Sequence, residues 1–508
     1  MIAAALLLLC SSPQLSPAEA LANVRRAVHY DAATKLAQGL TTSGTAVFCG
    51  EKSQYGLLFN VNSGEFIETI TGPISQTAAF DGTKAWEADW SGAPRTLSLE
   101  ERYSTLMSTW MQTHYWLNPK APLAISPDPT GTSPQLLSLK VHLKDTAFEA
   151  TVGIDRKTWL PLRMEYTGSD GKTVLTLGDY RKSSGVMIAY DVAQTALGQK
   201  NHYTLTAAVP APTFIRNPYA VLPWSAPDTT FDPAQPATVE MKRAFTGHIL
   251  IHPKVDGKDL GWFILDSGAG SNVIDKSVAD DEKMLSVGSI PAIGIGPDAQ
   301  TAHFRKATSI TLGQMTVAHP FFVALDLKAL SNVFGVKLSG IVGYDLFRRS
   351  VITVDLKGKS VLVEDPKTFT LATGNWVPLL LSNSHPIVAG KFEGDREGLF
   401  RLDTGANGTV TFNGPATENL KLLDGRDTKD IQLGGVGGME KAKVGTIEYF
   451  ELAGHRFDKP RVTFALSKTG PLGDKTLTGN LGQDFIEPFT VVFDYAHERI
   501  AFVTKAGL

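Results

Sequence analysis

Apolar and polar residues alternate in short runs along most of this chain, and most runs stop at a Gly, Asn or Asp. Residues 148–154, 162–166 and 173–180 each alternate, which predicts successive half-buried antiparallel strands. Turn formers such as Asn62-Ser63-Gly64 and Asp81-Gly82 mark hairpin corners between runs. Two stretches depart from this period. Over 23–39, Val24, Ala27, Val28, Ala32 and Leu36 recur at helical spacing, and 97–115 reads as a second helix. A mainly β chain follows, with helices concentrated in its first part.

From about residue 240 onward the pattern repeats itself. Phe263-Ile264-Leu265-Asp266-Ser267-Gly268-Ala269 returns as Phe400-Arg401-Leu402-Asp403-Thr404-Gly405-Ala406, its aspartates 137 residues apart. Gly340-Ile341-Val342-Gly343 returns as Gly479-Asn480-Leu481-Gly482, 139 residues on. Each copy then enters an apolar strand ending in Asp, at Asp355 and Asp494. One Asp-Ser/Thr-Gly is weak evidence, because those residues also build ordinary turns. A whole duplicated unit is stronger, and its period exceeds that of solenoid repeats. An Asp from each half suits a two-carboxylate site, because neighbouring carboxylates share one proton and serve as acid and base together.

On these motifs each unit resembles a retropepsin-like aspartic peptidase domain. The resemblance implies two acid-protease β-barrel units forming a bilobal pseudo-dimer, with Asp266 and Asp403 catalytic. It implies that Ser267 and Thr404 lock the two active-site turns, and that Gly268 and Gly405 let the backbone approach the carboxylates. Ala269 and Ala406 stand where related enzymes often carry a hydroxyl donor to the aspartate. Its absence leaves the pair less acidic, so a mildly acidic optimum is expected. Asn480 departs from the apolar residue usual at its position, which puts the packing of the second unit in question. The family closes its cleft with hairpin flaps. Gly294 and Gly296 in one unit, and Gly435, Gly437 and Gly438 in the other, are the flap candidates, weighed against plain surface turns.

Phe80-Asp81-Gly82-Thr83-Lys84-Ala85-Trp86-Glu87 and Asp155-Arg156-Lys157-Thr158-Trp159-Leu160-Pro161-Leu162-Arg163 resemble segments of bacterial outer-membrane lipoprotein-carrier proteins. That resemblance implies a curved antiparallel sheet, a half-barrel with helices, and a lipid or acyl ligand. Five of the eight Trp residues lie in this region (Trp86, Trp90, Trp110, Trp116 and Trp159), and core filling is the more economical role for them.

Composition narrows the function. A net charge of −3 over 508 residues gives no basic field for nucleic acid. No His-Glu-x-x-His or paired Cys motif occurs, so neither metal nor cofactor is expected. The only cysteines are Cys10 and Cys49, the latter in an apolar run that suits a buried structural thiol. Residues 2–9 form an apolar run too short to span a bilayer, and Ala18-Glu19-Ala20 fits a signal cleavage site. Leu9 is bulky for a lipid-anchored Cys10, so periplasmic or secreted export with cleavage after Ala20 is the expectation. Seven prolines between 210 and 236 exclude helix and central strand and read as a linker, ahead of a pro-segment over the cleft.

The expected order is a signal peptide at 1–20, a carrier-like β domain at 21–208, a proline-rich linker at 209–238, and peptidase-like units at 239–366 and 374–508. The expected activity is aspartic endopeptidase cleavage of a peptide or protein substrate by a monomer with an internal pseudo-twofold. The competing reading is a lipid- or peptide-binding carrier whose second half does not cut.

Overall fold

Each strand of the first two hundred residues pairs antiparallel with its neighbour, building one 13-stranded sheet in this computed structural model. Residues 16–90, 92–168, 171–292, 300–435 and 438–504 are described, so residues 2–9, Cys10, Gly294, Gly296 and Gly437 lie outside the described residues. The sheet runs from an edge at Pro94–Thr96 to Leu40–Phe48, which pairs with Gln199–Pro210, and ends at the opposite edge in Leu123–Pro127. Leu40–Phe48 buries every second residue over most of its length, the signature of a sheet with one covered face. The helix Leu99–Gln112 covers that face through Leu106, Met107, Trp110 and Met111. Trp86, Trp110 and Trp116 are fully buried, as core filling requires.

The helix expected over 23–39 is two helices, Pro17–Ala27 and Tyr30–Thr34, broken where His29 takes a left-handed φ of 56°. It starts earlier than its apolar spacing suggests because Ser16 and Glu19 form a capping box, which satisfies the free N–H groups of the first turn.

The proline-rich stretch is ordered by docking. Trp86 Nε1 donates to the Tyr219 carbonyl at 2.9 Å, and Trp224 Nε1 donates to the Arg348 carbonyl at 3.0 Å. Two short pieces join as edge strands, Thr229–Phe231 in a sheet of the first unit and Thr238–Val239 in a sheet that the two units share. An edge is where proline-rich chain can pair, since the missing N–H then faces outward.

Both repeats fold alike. In the first, Trp262–Leu265 pairs in parallel with Leu338–Val342, which pairs antiparallel with Val273–Asp275. In the second, Arg396–Leu402 pairs in parallel with Gly479–Leu481, which pairs antiparallel with Val410–Phe412. The Gly-x-x-Gly strand thus threads between the strand that enters each Asp turn and the strand that leaves it. The expected barrels do not close: among the described residues each unit keeps an open sheet. The two units share a further six-stranded sheet, in which Val351–Asp355 of one pairs antiparallel with Phe489–Asp494 of the other. One large apolar core, including Phe263, Phe347, Phe400 and Phe493, runs through both units.

The N-terminal domain is packed on both units. Buried Arg95 ion-pairs with Glu87 and Glu101, while Glu101 accepts from Asn383 N of the second unit at 3.0 Å. Buried Arg348 of the first unit donates to the carbonyls of Pro94 and Tyr495. The base of the hairpin Leu285–Ala292/Gln300–Lys306 is held from the same side. Ser289 N donates to Cys49 O at 2.8 Å, Gly288 N to Glu51 Oε1 at 2.8 Å, and Gln199 Nε2 to Ser289 O at 2.7 Å. Trp90 packs edge-on against Phe304 of that hairpin.

Candidate active site

Each active turn begins where a buried strand runs out. Phe263 and Leu265, and Phe400 and Leu402, are fully buried, which anchors the backbone up to each Asp. Asp266 N then donates to Val342 O at 2.9 Å, and Asp403 N to Leu481 O at 2.8 Å. The threaded strand therefore fixes the first atom of each turn.

The two hydroxyl residues join the turns. Ser267 N donates to Thr404 Oγ1 at 2.9 Å and Thr404 N to Ser267 Oγ at 3.0 Å. Each hydroxyl passes its own hydrogen to the strand opposite, Ser267 Oγ to Leu402 O and Thr404 Oγ1 to Leu265 O, both at 2.8 Å. Both side chains are fully buried, so every donor and acceptor in this square is used where water cannot replace it.

The glycines face the opposite aspartates. A Cβ added to Gly268 would lie 2.4 Å from Asp403 Cγ, and one added to Gly405 would lie 2.3 Å from Asp266 Cγ. No side chain fits there, so the requirement for glycine is one of close approach. Each glycine also donates its N–H to its own turn's carboxylate, Gly268 N to Asp266 Oδ1 at 2.7 Å and Gly405 N to Asp403 Oδ1 at 2.8 Å.

Loss of hydration pushes the Asp266 carboxyl well above the usual carboxylate range. The Asp403 charge adds to that shift, and the Gly268 N–H opposes it, as more weakly does the Arg401 guanidinium.

Three residues at this site did not enter the sequence reading as functional. Asn480, which looked like a packing fault, donates Nδ2 to Asp403 Oδ2 at 3.1 Å. His248 Nε2 donates to Gly405 O at 3.0 Å, with Nδ1 2.8 Å from Thr246 Oγ1. His385 lies 137 residues further on, the same spacing as the aspartates, and packs against the other turn. A Cβ added to Gly270 would be 3.6 Å from its Cε1. Each histidine thus reaches from one unit to the active turn of the other. The shared offset was the available signal, hidden because His248 and His385 sit in unlike flanking sequence. Burial lowers the basicity of both rings, with Arg401 adding to the effect at His385.

Of the flap candidates, Gly435 and Gly438 pair with each other at the tip of the hairpin Lys429–Gly435/Gly438–Thr446. Gly294, Gly296 and Gly437 lie outside the described residues. Cys49 is buried, and burial raises its thiol to about 11, as a structural cysteine requires.

The aspartyl protease family profile matches the chain twice, over residues 251–346 and 388–485. The chain is similar to a solved LolA superfamily protein from Nitrosomonas europaea, at 12% identity and a TM-score of 0.28, over 39% of this chain and 96% of that one. A DUF1329 family protein from Desulfovibrio piger is similar at 11% identity and a TM-score of 0.27, over 37% and 92%. A retropepsin-like aspartic protease from Rickettsia conorii is similar at 18% identity and a TM-score of 0.20, over 25% and 98%. No curated protein matches the chain.

Proposed function

We propose that the chain is an exported aspartic endopeptidase that hydrolyses peptide bonds with a water activated between Asp266 and Asp403. The carrying observation is the square of hydrogen bonds between Ser267 and Thr404, which binds the two Asp turns to each other. The pair shares one proton. Asp266, whose neutral form its surroundings favour, suits the acid that protonates the scissile carbonyl oxygen. Asp403, which accepts from Gly405 N and Asn480 Nδ2, suits the base that takes a proton from the water. The water adds to the carbonyl carbon, the tetrahedral intermediate collapses with proton transfer to the amine, and no bond to the protein forms.

The N-terminal domain we assign to recruiting substrate or lipid. Its sheet and the helix Leu99–Gln112 enclose a cavity of about 230 Å³ whose lining includes Glu68, Glu87, Gln112, Asn201 and Tyr203. Such a lining favours a ligand with a polar head over a bare acyl chain. Export rests on the apolar run at 2–9. A chain cut after Ala20 would begin inside the helix Pro17–Ala27, so N-terminal sequencing of the exported protein reads the cut directly.

The test is cleavage of a diverse peptide mixture between acidic and neutral pH by the parent chain, Asp266→Asn and Asp403→Asn. Cleavage by the parent and its loss in both variants is expected. Retained cleavage in either variant sinks the shared-site reading. Peptide binding without cleavage by any of the three marks a binding protein.

A further inference from the structure

The two halves of the site are not equivalent, and the difference lies in two paired residues. In the first unit Ile264 pairs with Ile341 across parallel strands, next to the turn that carries Asp266. Both are buried in an apolar patch with Leu250, Val273 and Leu338, and Ala269 packs on its edge. In the second unit the same two repeat positions are Arg401 and Asn480, paired in the same parallel register. Phe400 and Leu402 on either side of Arg401 are fully buried in the common core. Strand alternation therefore sends Arg401 to the opposite face, the one that Ile264 occupies in the first unit.

Arg401 has no carboxylate partner in an ion pair among the described residues, although its Nε is buried without a hydrogen-bond partner. Asn480 Oδ1 is also buried and unpartnered, while the His385 ring meets backbone groups of Ser382 and Gly268. A buried guanidinium N–H with no acceptor is costly unless something completes it. The charge of Arg401 acts on both Asp266 and His385, so the cluster lies within electrostatic reach of the catalytic turn.

We infer that Arg401, flanked by Asn480 and His385, is the cation of a subsite for an acidic substrate side chain next to the scissile bond, opposite an apolar subsite on the side of Ile264 and Ile341. The enzyme then cuts between an apolar and an acidic residue. This rests on the endopeptidase reading above and supplies its substrate class.

The experiment uses matched peptides with Glu, Gln, Leu or Lys placed in turn on each side of the scissile bond. Their uncleavable hydroxyethylene counterparts are used to measure binding. The parent is compared with Arg401→Ile, which installs the residue of the first unit, and with Arg401→Lys. At one of the two positions the parent should favour Glu over Gln by about tenfold, the scale of one charge-assisted hydrogen bond. Arg401→Ile should reverse the order of Glu and Leu, and Arg401→Lys should keep part of the Glu preference. The ratio between peptides is the readout, so a general loss of rate in a variant does not enter it.

A parent that prefers Leu or Lys at both positions overturns the inference, whether or not the variants fold. So does an Arg401→Ile protein that shifts the pH profile but keeps the parent's peptide order, since Arg401 would then only balance the charge of the aspartates. A Glu preference in binding without any cleavage upholds the subsite while the endopeptidase reading falls. Cleavage without a Glu preference does the reverse.

Discussion

Ser267 and Thr404, one from each repeat, each accept the other's backbone N–H, at 3.0 and 2.9 Å, and neither is exposed to solvent. The two carboxylates inherit their relative position from this exchange. Thr404→Val keeps the volume but leaves Ser267 N and Leu265 O without a partner. It should cost about 1–3 kcal/mol per orphaned group and reduce activity beyond the loss of stability. Urea unfolding and kcat/KM on one peptide, measured side by side, check both.

Asp266 should destabilise the folded protein at neutral pH. Its folded carboxyl titrates above the unfolded value, so its contribution to stability is complete below the unfolded pKa and is lost as pH rises through the folded one. Asp266→Asn should therefore raise the melting temperature at pH 7 more than at pH 4, while activity disappears. An equal shift at both pH values contradicts this. The same raised carboxyl extends the acid form upward in pH, so the rate should peak in mildly rather than strongly acidic solution.

His248 should work in the opposite direction. Burial lowers its folded basicity, so the unfolded chain binds the extra proton and stability falls as pH drops through the ordinary imidazole range. Arg243 also disfavours the imidazolium, while the Asp403 charge and the Gly405 carbonyl favour it. His248→Gln can still donate to Gly405 O but does not titrate. Its stability should depend less steeply on pH between about 7 and 5, a window set by the unperturbed imidazole. Thermal melts across that range show the change in slope.

The N-terminal domain should hold the first unit's hairpin in place. Glu51→Ala with Gln199→Ala removes two of the three hydrogen bonds at Gly288 and Ser289. Hydrogen exchange should quicken over Leu285–Ala292 and Gln300–Lys306 and stay unchanged in the strands Lys429–Gly435 and Gly438–Thr446, which these residues do not touch. KM should rise with it, by a few fold for about 1 kcal/mol of lost hydrogen bonding.

Charge, strand alternation and the 137-residue repeat were enough to read a mainly β chain with two Asp turns, because local periodicity and turn chemistry are written in adjacent residues. The same reading found Ser267, Thr404, Gly268 and Gly405, since each lies beside an aspartate in sequence. It missed the early start of the first helix, although the Ser16–Glu19 capping box is a local signal, and the break at His29, where the backbone turns left-handed. Nor could it show that the proline-rich stretch is pinned by Trp86 and Trp224, because those indoles find carbonyls 133 and 124 residues away in the chain.

What the sequence determined by itself is therefore what neighbours along the chain decide: the period of each run, the turn after it, and the duplication of the unit. Tertiary structure alone decided which distant residues meet. His248 reaches Gly405 over 157 residues, and Asn480 reaches Asp403 over 77. A residue that breaks an apolar pattern looks like a fault along a strand. Folding brings it beside a carboxylate, where its amide has a partner, and distance in sequence carries no trace of that contact.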